Sequence, residues 1–289
     1  MTAGIFRSFF LLVVLYLYPS YITASQDLKE LYIESEIKIS MLLGEISGMA
    51  YQGDDIYALN DGGNGPYIFQ LDMNTGRTKK RFRIDNIRNT DWEELAIYNG
   101  YLYIADLGNN RGNRRDLAIH RIRIDSLEYS DTPVMTTAIS YSLQQSFKHS
   151  THNHEWDCEA MVVCDDGIFC FSKNWKNLIT VMYEITEGEM NNLSQADSFD
   201  AGFLVTGAYY DSECKGLFLC GYYENETYLL HFRNAKTSRF TADYKKYIIP
   251  ELKNAQVESV FVHGDFIYLA SERTLKSQAI YRIPLSNLE

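Results

Sequence analysis

Apolar residues in this chain fall in short alternating runs, broken by turns such as QGDD, YNG, CDDG and HGD. Val, Ile, Tyr and Phe in such runs, bounded by Gly, Asn and Asp, predict β-strands. No segment of ten or more residues keeps a convincing helical period. The acidic stretch from Thr186 to Asp200 comes closest and is expected to hold at most a turn of helix. The runs recur in a fixed order. EISGMAY, DWEELAIY, DCEAMVV, LVTGAYY and QVESVFV each lead through a turn into IYALND, LYIADL, IFCFSK, LFLCGY and IYLASE. A third run follows each: YIFQL, AIHRI, VMYEI, YLLHF and AIYRI. Spacings of 47, 65, 47 and 52 between the oxygen-bearing lead residues Ser47, Glu94, Glu159, Thr206 and Glu258 give the period of a blade repeat.

The first unit reads as four strands, at Ser47–Tyr51, Ile56–Asn60, Tyr67–Asp72 and Arg77–Ile84, whereas the fifth ends after its third strand at Ile280–Pro284. An unclaimed strand, Tyr32–Ser40, precedes the first unit and can complete the last one. Closure of that kind removes exposed sheet edges. The prediction is an all-β fold, a five-bladed β-propeller closed by its N-terminal strand. Six blades are the alternative, if the longer second repeat hides one.

Arg7, the apolar run Phe9–Tyr18, Pro19 and the small-residue exit at Ala24 read as a signal peptide over residues 1–24. The run is short of the ~20 apolar residues that a spanning helix needs. A single domain over residues 25–289 follows, secreted or periplasmic, with no membrane span and expected to be a monomer. Without Arg7 the chain carries 26 basic and 38 acidic residues, a net charge of −12. Such a balance argues against nucleic-acid binding, which rests on neutralising phosphates. Five cysteines, Cys158, Cys164, Cys170, Cys214 and Cys220, leave at least one thiol unpaired. Cys164 and Cys170 flank a turn without being directly opposite, and no spacing suggests a zinc site.

In a propeller the starts of the innermost strands ring one mouth of the central channel. Ser47, Glu94, Glu159, Thr206 and Glu258 are therefore expected to converge. Three carboxylates there repel, so either their pKa values rise or a cation sits among them. Oxygen-only donors suit calcium; sealing waters or another cation are the alternative. No inner strand offers a basic partner. The order Ser, Glu, Glu, Thr, Glu resembles that of calcium-activated nucleotidases (apyrases), secreted five-bladed propellers that hold one calcium through blade-start residues. That likeness implies a metal-ligand role for the same five positions, with Thr206 where a serine is expected, and it does not extend to the nucleotide-binding loops. ISGMAY, IYALND, DWEELAIYNGYLYIADLGNN, DCEAMV and QVESVFVHGDFIYLASE, within roughly residues 44–285, resemble the SdiA-regulated family of exported bacterial propellers. This second likeness implies the propeller fold and calcium binding without a settled activity.

Loops on the same face add candidate ligand-binding residues: Asn60, Asp61, Asp106, Asn109, Arg111, Arg114, His152, His154, Lys173, Trp175, Glu272 and Arg273. With Arg115, Lys176 and Lys276 they predict a cationic collar, suited to an anionic small molecule; solvated loops with arginines paired to Asp are the alternative. His152 or His154 are general-base candidates near a calcium-bound phosphate. No phosphate loop, nucleophile elbow or Ser/His/Asp arrangement is present. Two functions remain open: an exported calcium-binding propeller that binds an anionic small molecule or a protein surface, and a calcium-dependent hydrolase of a phosphoester or nucleotide-like substrate.

Overall fold

The computed structural model describes residues 28–288, apart from Glu189, Cys214, Lys215, Thr237, Ser238 and Ala242. The expected signal peptide lies outside the described residues. Five sheets with antiparallel four-stranded cores form the five blades, four of them built from strands that follow one another along the chain. Innermost to outermost, blade one comprises Ile46–Gln52, Asp55–Asn60, Tyr67–Asp72 and Thr78–Arg83. Blade two comprises Glu94–Tyr98, Tyr101–Asp106, Leu117–Arg123 and Val134–Tyr141. Blade three comprises Cys158–Cys164, Gly167–Ser172, Ile179–Ile185 and Gln195–Asp200. Blade four comprises Leu204–Asp211, Gly216–Tyr223, Glu226–Phe232 and Tyr244–Ile248. Blade five comprises Val257–His263, Phe266–Ser271, Ala279–Pro284 and, as its outermost strand, Ser35–Lys38. The N-terminal strand thus closes the ring, with Ile37 opposite Ile280.

The second strand of each blade is nearly all apolar because both of its faces are covered. In blade one, Ile56 and Ala58 face the cluster shared with blade five, whereas Leu59 faces the cluster shared with blade two. The five apolar clusters correspond to the five blade–blade interfaces. Only the outer strands turn polar, as in Thr78–Arg83, where Phe82 alone is buried.

Two short parallel pairings were not foreseen. Lys29–Glu30 adds to the edge of blade four before the chain reaches blade five, tying together the two blades beside the closure. Met190–Leu193 crosses to the edge of blade two, pairing with Ala138–Tyr141, before the chain returns to blade three. The stretch expected to hold a helical turn therefore holds two strands: each exposes backbone that an open sheet edge can pair. The longer second repeat contains no sixth blade; its extra length is the connection at 142–157, which covers the mouth. Cys164 pairs with Gly167 and Cys170 with Met161, so these cysteines are not opposite one another. Among the described residues no disulfide joins Cys158, Cys164, Cys170 and Cys220, and Cys214 lies outside the described residues. Among the described residues, no helix is long and apolar enough to cross a membrane.

Candidate metal centre at the channel mouth

The mouth is shaped by a β-bulge repeated at the blade starts. The pairing slips by one residue at Ser47, Glu159, Thr206 and Glu258, so each lead residue is the extra residue of a bulge and turns toward the channel. In blade two Glu94 pairs with Ala105, while the Glu93 N–H also reaches the Ala105 carbonyl at 2.9 Å. Glu93 therefore occupies the position of the other lead residues. Glu94, expected there, lies one residue further in, level with Gly48, Ala160, Gly207 and Ser259. DWEEL offers two adjacent glutamates, and strand alternation alone cannot choose between them.

This inner layer explains why one long side chain suffices to fill the axis. A Cβ on Gly48 would lie 2.6 Å from Leu95 N, and one on Gly207 would lie 2.7 Å from the Ser259 α-carbon. With its four neighbours this small, Glu94 occupies the space and is 1% exposed. Its Oε1 accepts from Leu95 N–H at 3.0 Å and the Ser259 hydroxyl at 3.2 Å; its Oε2 accepts from Ala208 N–H at 3.3 Å. Burial pushes its pKa well above the usual carboxyl range, against these hydrogen bonds. Glu94 separates the mouth from a second cavity of about 460 Å³ at the far end of the channel, lined by residues including Tyr51, Tyr98 and Phe261.

The mouth itself is a cavity of about 220 Å³ lined by Ser47, Asp61, Glu93, Asn110, His152, Glu159, Lys173, Trp175, Tyr222, Gln256, Glu258 and Glu272. Ser47 donates to Trp92 O at 2.8 Å and Thr206 to Val257 O, so both hydroxyls have main-chain acceptors. Above the lead residues sits a second tier at the ends of the second strands: Asp61, Leu107, Lys173 and Glu272 just past them, and Tyr222 next to the end of Gly216–Tyr223. Lys173 supplies the basic partner that the inner strands lack. Its Nζ reaches Glu159 Oε2 at 2.6 Å and stands 5.4–5.5 Å from the rings of Tyr222 and Trp175. His152 stacks on Trp175 at 4.0 Å.

Acidic groups crowd this space, and burial is the leading cause of every pKa shift. Asp61, Glu93 and Glu159 are pushed up, as is Asp157 beneath them. Asp91 is raised to about 7 by burial and by Asp61, and Glu258 to about 7 despite Lys173. Glu272 is raised to about 8, by burial and then by Glu258 and Asp61. Ligand atoms of Asp61, Asp91 and Glu93 lie within 4.8 Å of one another. Glu93 Oε1 and Asp157 Oδ2 are buried acceptors without a hydrogen-bond partner. A hard cation would meet an all-oxygen donor set here, so the residues fit calcium.

Of the candidate ligand residues, Asp61, His152, Lys173, Trp175 and Glu272 line the cavity. The others build its frame. Asp106 accepts from the Thr90 and Asp91 N–H groups and pairs with Arg114 at 2.7 Å. Asn109 clasps Asp157, Trp156 and Arg114. His154 accepts from Trp156 N–H through Nδ1 and faces Asn110 O through Nε2. Asn60 donates to Leu42 O, Arg111 accepts from Ser150 N–H through its carbonyl, and Arg273 is joined to Gly44 through its backbone. Much of the expected cationic collar is engaged elsewhere: Arg114 with Asp106 and Asp116, Arg115 over Phe147, Lys176 with Glu155 and Lys276 with Glu251 O. Arg114 thus follows the alternative reading, an arginine paired to Asp within its own loop, whereas the partners of Arg115, Lys176 and Lys276 lie in other segments of the chain. Asp91, Glu93, Asn110, Tyr222 and Gln256 were missed; aligning bulges instead of apolar runs identifies Glu93.

No family model matches this chain, and no curated protein matches it. Solved structures do. A glucose dehydrogenase is 8% identical over 86% of this chain and 98% of its own, with a TM-score of 0.50. The exo-β-1,3-galactanase 1,3Gal43A of Clostridium thermocellum is 10% identical over 87% of this chain, with a TM-score of 0.53; this chain spans 62% of it. XC5397 of Xanthomonas campestris, a gluconolactonase, is 10% identical over 84% of this chain and 74% of its own, with a TM-score of 0.45. At such identities the likeness to the first two is one of fold alone.

Proposed function

We propose that this is an exported propeller whose mouth holds a hard divalent cation, calcium, and that the cation serves as docking point for an anionic small molecule. One observation carries the reading: Asp61, Glu93, Glu159, Glu258 and Glu272 line a single cavity against one ammonium, Lys173. Ionised together they repel, and a divalent ion is the counter-charge that lets them ionise. Thiolates are absent from the lining, and its one imidazole is stacked on Trp175, so the donors favour a hard ion over a softer one. The blade-start resemblance to calcium-activated nucleotidases and the resemblance to the SdiA-regulated family point the same way. Export rests on the sequence of residues 1–24.

Elemental analysis of the purified mature chain should find calcium, and a chelator should lower its unfolding midpoint. A ligand present at a hundred times its Kd stabilises by about 2.7 kcal/mol. An unchanged midpoint together with no bound metal would overturn the proposal.

A specific feature favours a second reading, calcium-dependent hydrolysis of a phosphoester or nucleotide-like substrate. His152 stands at the rim with its pKa lowered, by burial first and by Lys173 next, which keeps the imidazole neutral and able to accept a proton from water. Turnover in a phosphatase, nucleotidase and lactonase panel, dependent on calcium and lost in His152→Ala, would establish it; silence across the panel would remove it.

A further inference from the structure

We propose that the cation's seat lies off the propeller axis, between blades one and two on Asp61, Asp91 and Glu93, and that the Lys173 ammonium holds the axial place. This rests on the cation reading above and gives it a location. The lead residues of the remaining blades are already provided for. Glu159 has Lys173 at 2.6 Å, and Lys173, followed by the Tyr222 hydroxyl, favours the ionised form of Glu258. The Ser47 and Thr206 hydroxyls donate to main-chain carbonyls. Among the described residues, Asp61, Asp91 and Glu93 have no ion-pair partner, and their ligand atoms converge within 4.8 Å.

A second, independent feature marks the place as a seat. Glu93 is 5% exposed, and its Oε1 is an acceptor with no donor. An orphaned buried oxygen of this kind costs free energy unless something binds it. The walls are shaped to leave it open. A Cβ on Gly108 would stand 2.0 Å from Glu93 Oε1 and 2.7 Å from Asp91 Oδ2, so both oxygens crowd one side of a residue without a side chain. A Cβ on Gly62 would stand 2.3 Å from Asp91 Oδ1. Asp106 holds the Asp91 backbone from behind and is itself neutralised by Arg114, which leaves the Asp91 carboxylate free to face the seat. Three carboxylates around an irregular site open to the cavity suit calcium, which takes oxygen ligands at about 2.3–2.6 Å in flexible geometry. Positions left open toward the cavity would take water or the oxygen of an anionic ligand.

Calcium titration of the chelator-treated full mature chain by calorimetry tests the seat, with terbium luminescence excited through Trp92 as a second readout. Glu93→Gln, Asp91→Asn and Gly108→Ala should each weaken binding by at least about tenfold, a change of about 1.4 kcal/mol. Glu258→Gln should change it by less than about threefold. Circular dichroism and unfolding midpoints of the ion-free proteins establish that each variant is folded, and Asp61→Asn substitutes for one that is not. A loss in Glu258→Gln as large as in Asp91→Asn overturns the off-axis seat while leaving the cation reading intact. No calcium uptake by the unsubstituted chain overturns both.

Discussion

Lys173 Nζ lies 2.6 Å from Glu159 Oε2, and both side chains are buried at the mouth. Removing one partner of such a pair leaves the other charge without compensation, at a cost of about 3–5 kcal/mol. Lys173→Met in the ion-free protein should therefore lower stability by about that amount in urea unfolding. Added calcium should recover part of the loss, because Glu159 then becomes a further ligand. A neutral substitution would show that the ammonium is not the counter-charge of this ring.

Adjacent glutamates should behave differently. Glu94 fills the axis left by Gly48, Gly207 and their small neighbours, whereas Glu93 faces the mouth. Glu94→Ala opens a cavity in the channel and should cost about 2–5 kcal/mol of stability. Calcium affinity of the folded Glu94→Ala protein should nonetheless stay within about threefold of the original. Calorimetry beside chemical unfolding separates the two effects, and a large loss of affinity would restore Glu94 to the ring of ligands.

The blades were legible because their strands supply the chemistry of two packed faces and their turns the chemistry of reversals. Closure was legible as well, since the fifth unit lacked a strand and the spare Tyr32–Ser40 segment contains the closing strand Ser35–Lys38. Parallel additions such as Met190–Leu193 were not, because so short a strand carries no periodicity and is stabilised by the edge it meets. The mouth was readable in part: Ser47, Glu159 and Glu258 line the cavity, and Thr206 stands at the matching bulge. The reading failed at DWEEL because a bulge, which apolar patterning does not encode, decides which glutamate turns inward. Lys173 was seen as a loop cation, but its partner was missed. Hairpin pairing of Cys158 with Ser172 brings the residue after Ser172 back beside Glu159, fourteen positions away in sequence.

His231 stacks on Phe218 at 4.3 Å on the wall of blade four, away from the mouth. Burial, then Arg233, lowers its pKa to about 4, with Asp243 and Asp211 opposing. An unfolded histidine titrates near 6.5. The unfolded chain therefore gains a proton first, and stability from this group is lost as pH falls from about 6.5 toward about 4. His231→Gln should flatten that part of the stability profile. An identical acid slope in both proteins would remove His231 as its source.

The mouth predicts a slope at higher pH. Asp91 and Glu258 titrate at about 7 and Glu272 at about 8 in the folded ion-free chain, whereas unfolded carboxyls titrate near 4. Between these values the folded state holds protons that the unfolded state has released, so stability decreases as pH rises. The contribution is complete below about pH 4 and is lost through about pH 8. Calcium binds the ionised carboxylates, so its affinity should rise over the same interval and the stability slope should flatten when the ion is present. Urea midpoints from pH 5 to 8.5, with chelator and with calcium, measure both. Glu272→Gln should reduce the decline in chelator, since it removes the group with the highest of these pKa values. Stability that climbs with pH in chelator would mean that these carboxyls are already ionised and paired, and would count against the crowded-carboxylate account of the mouth.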